Sequence, residues 1–142
     1  MTESLYDIDL EVWLNQQIAY LKAGQYNKLD LDNLIEEIES VGKTERRSME
    51  SYFEVLICHI LKWKYQPSNR SKSWASSINQ SRRHTLRILK DSPSLKNYME
   101  TAFKDAFNDA RKTAVEETGI KSIPNFCPFN LHYAMHEHIS ME

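Results

Sequence analysis

The sequence predicts an all-α fold, a single compact bundle of about five helices with a short C-terminal helical turn, formed by residues 1–142 as one domain. Three observations carry that expectation. Glycine and proline number only three and four in 142 residues, while the strong helix formers Ala, Leu, Glu, Lys, Gln and Met are plentiful. Gly24, Gly42, Gly119, Pro67, Pro93, Pro124 and Pro128 all fall between apolar-periodic segments, as helix punctuation does. A 41% apolar content over this length supplies one core of ordinary size and not two.

The first helix is expected from about Asp9 to Ala23, because Leu10, Trp13, Leu14, Ile18 and Leu21 recur at helical spacing behind a capping Asp7 or Asp9. Asp30 caps a second segment whose stripe of Leu31, Leu34, Ile35, Ile38 and Val41 runs to a stop at Gly42. A third runs from Thr44 to Trp63. Its apolar residues occupy every side, Val55, Ile57, Cys58 and Leu61 as well as Tyr52, Phe53, Leu56 and Ile60, so it is the central helix. The fourth opens at Ser71 or Ser73 and ends at Asp91, with Trp74, Ile78, Thr85, Ile88 and Leu89 on one face. Pro93 starts the fifth, where a missing N–H costs nothing, and Gly119 ends it after Thr118. Ala102, Ala106, Ala110 and Ala114 form a small-residue seam along it that lets another helix approach closely. After Pro128 one short helical turn is expected, with Phe126 and Phe129 packed onto the body.

No window approaches the eighteen apolar residues of a membrane span, and MTESLYDIDLEVW has neither the basic nor the apolar region of a leader. A cytoplasmic protein with no membrane association is the expectation. Cys58 and Cys127 are two only, and Cys58 lies in an apolar run, so a buried thiol is expected there instead of a disulfide.

Charge is partitioned along the chain. Residues 1–42 hold nine acidic and two basic side chains, 43–90 hold three and eleven, and 91–142 hold eight and five. No Asp or Glu occurs from Val55 to Lys90. Such asymmetry points to a polyanionic partner or to neutralisation inside the molecule. With Trp74, Ile78 and Thr85 taken as the buried direction, Arg82 lies at the edge of the fourth helix while Arg83 and Arg87 point away. Arg82 is therefore expected to form a structural ion pair with Glu37 or Glu39, which flank the stripe of the second segment. Lys62, Lys64, Arg70, Lys72, Arg83 and Arg87 make up the expected contact face for an unknown protein or nucleic acid. They are interleaved with Trp63, Tyr65 and Trp74, although these aromatics fall on helix stripes and a pI of about 6.2 is low for a nucleic-acid-binding domain.

The blocks YDIDLEVWLNQQ, LDLDNLIEEIESVGKTERR, HILKWKYQPSNRSKSW, SPSLKNYMETAF, ARKTAVEETGI and NFCPF cover nearly the whole chain in order. In them the chain resembles domain of unknown function family 29, small bacterial proteins. The resemblance implies an all-helical bundle and supplies no mechanism. The tail after Phe129 departs from the family pattern, so a role for His132, His136 or His138 would belong to this chain.

The alternative to a binding module is a metal-assisted nucleotide- or nucleic-acid-processing enzyme. Glu36 and Glu39 in IEEIES, with His59 on the next helix, are its candidate catalytic residues. Against it, the Glu-x-x-His unit of carboxylate bundles is missing. Helical NTP pyrophosphatases use Glu-Glu-x-x-Glu, and here Ser40 stands in place of the third Glu. His59 in VLICHILKW is better read as a buried, hydrogen-bonded histidine. A ribonuclease-like Arg-x4–6-His pair fails on spacing. His132 and His136, four apart, with His138 nearby, have a spacing that permits Zn²⁺ or Ni²⁺, but near a chain end incidental histidines are the commoner case. No cofactor is expected. A homo-oligomer through the alanine seam is a third expectation.

Overall fold

The computed structural model describes residues 4–141. Among them every regular element is helical: α1 (Leu5–Ile8), α2 (Leu10–Lys22), α3 (Leu31–Tyr65), α4 (Lys72–Asp91), α5 (Met99–Thr118) and α6 (Leu131–His136), joined in part by 3₁₀ turns at Tyr26–Lys28, Pro67–Asn69 and Pro93–Tyr98. The chain groups into two compact units, one through Lys43 and one from Thr44 onward. Helix α3 supplies residues to both.

The first unit is a helical hairpin closed by polar groups. Asp9 caps α2 by accepting from the Val12 amide, and Gly24 turns the chain at a φ of +70° that only glycine adopts without strain. At the turn the Asp30 carboxylate accepts from Trp13 Nε1 at 3.0 Å and from Asn33 Nδ2 at 2.8 Å. Its own amide donates to Gln17 Oε1 at 2.8 Å. Trp13 and Gln17 are buried. Tyr6 packs edge-on against Trp13 and donates its hydroxyl to Glu37.

This closure overturns one expectation from the sequence. The hairpin uses the α3 face carrying Asn33, Leu34 and Glu37, so the stripe of Leu31, Ile35, Ile38 and Val41 is left in solvent, with Leu31, Ile35 and Ile38 60%, 55% and 70% exposed. Leu10, Ile18 and Leu21 of α2 are exposed as well.

A second correction concerns Gly42. The helices expected to end at Gly42 and to begin at Thr44 are one helix of 35 residues, Leu31–Tyr65. A mid-helix glycine costs only about 0.5–1 kcal/mol relative to alanine. No proline removes a donor within the span, and the local hydrogen-bond ladder outweighs that cost.

The second unit is a helical bundle with an apolar interior. The α3 residues Met49, Phe53, Leu56, Ile57, Ile60 and Leu61 are fully buried, as its all-round apolar surface requires. Phe53 meets Phe103 of α5 edge-to-face at 5.8 Å. Ala102, Ala106, Ala110 and Ala114 are buried in the same core, so the alanine seam is occupied within the unit and is not available to another copy. Ser71 caps α4 through the Trp74 amide. Pro93–Tyr98 forms a 3₁₀ turn in place of the expected first turns of the fifth helix, and Gly119, at φ +74°, closes α5. Arg111 holds the tail by donating to the carbonyls of Ile123 and Pro124. Phe129 is buried there, whereas Phe126 is exposed, contrary to the expected packing.

Candidate functional site

The basic residues from Lys62 to Lys90 separate into an internal set, a pair laid over aromatic rings and an external set. Lys62 is internal: it is 7% exposed, its Nζ lies 2.5 Å from Glu117 Oε2 and 5.0 Å from the Trp74 ring centroid. Its place among the contact residues is corrected, because the ammonium already has a carboxylate and an aromatic face. Arg82 is also turned inward. Its Nε donates to the Ala134 carbonyl at 2.8 Å, its Nη2 is buried without a hydrogen-bond partner, and burial lowers its pKa. The sequence paired Arg82 with Glu37 or Glu39; its hydrogen bond goes instead to α6, and Glu37 accepts from Tyr6. Arg82 therefore positions the C-terminal helix.

Trp63 is buried with Arg70 over its ring at 4.8 Å, and the Arg70 Nε donates to the Trp63 carbonyl. Lys64 lies over Tyr133 at 5.0 Å. Both residues are exposed, but their charged groups lie across aromatic faces, so these rings are not free platforms for bases.

The external set is Lys72, Arg83, Arg87 and Lys90 on α4, all exposed. Their separations of 11, 4 and 3 residues are near whole turns, which puts them on one face along about 27 Å of helix. Beside this row Leu86 is exposed, and an apolar groove of about 440 Å³ opens between α4, α5 and α6. Leu86, Leu89, Met99, Leu131 and Met135 line it, with Lys96, His132, His136 and one carboxylate, Glu100, at its edge. The groove was not legible in the sequence. Leu86 lies off the buried stripe in the middle of the arginine run, and that displacement is the signal that points to it.

His59 has the hydrogen bond its apolar run suggests: Nδ1 lies 2.7 Å from the Val55 carbonyl one turn earlier, so Nδ1–H donates and Nε2 is the acceptor. Burial lowers its pKa, which favours the neutral ring. It borders a small cavity of about 180 Å³ with Cys58, Thr113, Glu54 and Glu117. Burial pushes the Cys58 thiol up to about 11, far from a nucleophilic thiolate. Glu36 and Glu39 belong to the hairpin unit and His59 to the bundle unit. The His132 and His136 rings are 4.6 Å apart on exposed positions, and His138 lines a different cavity with Trp63 and Arg70. Among the described residues no group of three or more His, Cys, Asp or Glu is placed to hold a metal ion. The metal-assisted alternative through Glu36, Glu39 and His59 therefore has no site behind it. No helix among the described residues is long and apolar enough to cross a membrane.

The family model described as Domain of unknown function DUF29 matches residues 5–139. The chain belongs to DUF29. No curated protein and no solved structure matches it. DUF29 membership carries no assigned activity, and the all-helical architecture agrees with what the resemblance implied.

Proposed function

We propose that this chain is a binding module that engages an acidic protein surface through the outer face of α4. The observation that carries the reading is the row of Lys72, Arg83, Arg87 and Lys90, four exposed cations on one helix face in a stretch without a carboxylate from Val55 to Lys90. Such a row raises the local potential, speeds encounter with anionic surfaces and repels basic ones. Single-stranded nucleic acid is the weaker partner. Its recognition adds base stacking to phosphate contacts, yet Trp63 is buried beneath Arg70 and the Trp74 ring is faced by Lys62. The apolar groove next to Leu86 suits a partner that brings aliphatic side chains along with its carboxylates.

The test reverses Arg83 and Arg87 to Glu and follows binding to RNA, duplex DNA and proteins captured from a lysate. The expected result is loss of captured protein with little nucleic-acid binding by either form. Unchanged behaviour in all three assays overturns the reading.

A further inference from the structure

The hairpin of the first unit and the groove of the second are chemical complements. On the hairpin, Leu31, Ile35 and Ile38 stand at i, i+4 and i+7, so they share one face of α3 over about 10 Å. Asp32, Glu36 and Glu39 are exposed beside them. The residues up to Val41 and Gly42 carry nine acids against two bases. On the bundle, the groove beneath Leu86 is lined by aliphatic and methionine side chains with Lys96 and Glu100 at its edge, and Arg83 and Lys90 of the basic row stand one helical turn to either side of Leu86. One surface is an apolar ridge with acidic residues along one side. The other is an apolar groove with a basic border.

We infer that the occupant of the groove is the acidic ridge of α3 from a second copy of this chain. Each copy carries one ridge and one groove, and the proposed assembly is the two-fold dimer in which two copies exchange these contacts, the closed form that leaves neither surface over. Charge selects this arrangement. A ridge-on-ridge dimer would set Asp32, Glu36 and Glu39 against their own equivalents, and like charges facing each other are strongly disfavoured. Burial of the ridge also removes from water the aliphatic side chains that the hairpin leaves uncovered. The inference rests on the reading of α4 as a contact face and names the partner of that face.

The test uses the full chain and two pairs of substitutions at exposed positions, R83E/R87E and E36K/E39K, with circular dichroism confirming that each variant keeps its helical content. Mass is followed by light scattering after size exclusion across a concentration series, at low and high salt. The wild type is expected to reach twice the monomer mass at low salt and to dissociate as salt screens the contact. Each variant alone is expected to associate at least about tenfold more weakly, since one of its surfaces now repels the other. An equimolar mixture is expected to recover the dimer, because the acidic ridge of one variant meets the basic groove of the other and the reversed pair also matches. A wild type that stays monomeric at every concentration overturns the inference, as does a dimer that survives R83E/R87E, the mark of a ridge-on-ridge contact. Two inactive variants whose mixture stays monomeric overturn it as well. A monomeric wild type whose R83E/R87E variant nonetheless loses a captured acidic protein removes the second copy as occupant and leaves the basic face standing. Indifference in both experiments removes both.

Discussion

The hairpin through Lys43 and the bundle from Thr44 onward reach helical structure by opposite means. The bundle buries Phe53, Leu56, Ile60, Ile78 and Phe103 and presents charge to solvent. The hairpin buries a tryptophan and a glutamine around one carboxylate and presents its aliphatic side chains to solvent. The bundle is held by area removed from water, and the hairpin by a few directional hydrogen bonds. A unit of the second kind gains most from a surface that covers it.

Removing a core side chain separates the two units most sharply. Phe53→Ala is expected to lower the unfolding free energy by about 3–5 kcal/mol, whereas Ile38→Ala in the monomer changes it by less than about 0.5 kcal/mol. Urea unfolding followed by circular dichroism measures both. Equal costs would mean that the exposed ridge is covered in the monomer.

Next in size is the hairpin's hydrogen-bonded hub. Trp13→Phe keeps an aromatic ring but removes the N–H that Asp30 accepts, and about 1–2 kcal/mol of hairpin stability is expected to go with it. Amide hydrogen exchange resolved by segment should show faster exchange in α2 with little change in α5. Uniform acceleration across both would contradict a separate hub.

Gly42→Ala probes the helix shared by the two units. A gain of about 0.5–1 kcal/mol is expected because α3 is continuous through this residue and alanine both restricts the unfolded chain and favours helix. A loss would place a bend or a left-handed residue at position 42.

The smallest effects are those of pH, and they belong to the hairpin. Hydrogen bonds from Asn33 and from Trp13 hold the Asp30 carboxyl below the ordinary 3.8. Its contribution is present above that value and is lost as pH falls through the lowered one. Tyr6 runs the other way: its hydrogen bond to Glu37 raises the phenol to about 12 from 10.0. That contribution is complete below 10.0 and disappears as pH rises through about 12. Ultraviolet titration of tyrosinate in the wild type and in Glu37→Gln measures the second effect, and the variant is expected to titrate lower.

Much of the fold was legible because its signals are local. Asp9 and Ser71 cap the helices at which they stand, Gly24 and Gly119 turn the chain, and the all-round apolar run of the third segment is the buried centre of its bundle. The candidate surface was legible in part. Arg83 and Arg87 are exposed on the outer face of α4, while Lys62 and Arg82 from the same basic stretch point inward because Glu117 and the Ala134 carbonyl lie within reach in space and far away in sequence. The groove beside Leu86 is not legible in any one segment because its walls come from three helices.

From the sequence alone came the helical class, the positions of the capping and turning residues, and the division of charge between an acidic first third and a basic middle. These depend on backbone propensities and composition, which each residue carries with it. The tertiary structure decided that α3 continues through Gly42, that its first apolar stripe faces solvent, and that four of the cations form one external row. Exposure depends on what lies opposite a side chain. That opposing partner is chosen by the packing of helices distant in sequence, and no periodicity along a single segment specifies it.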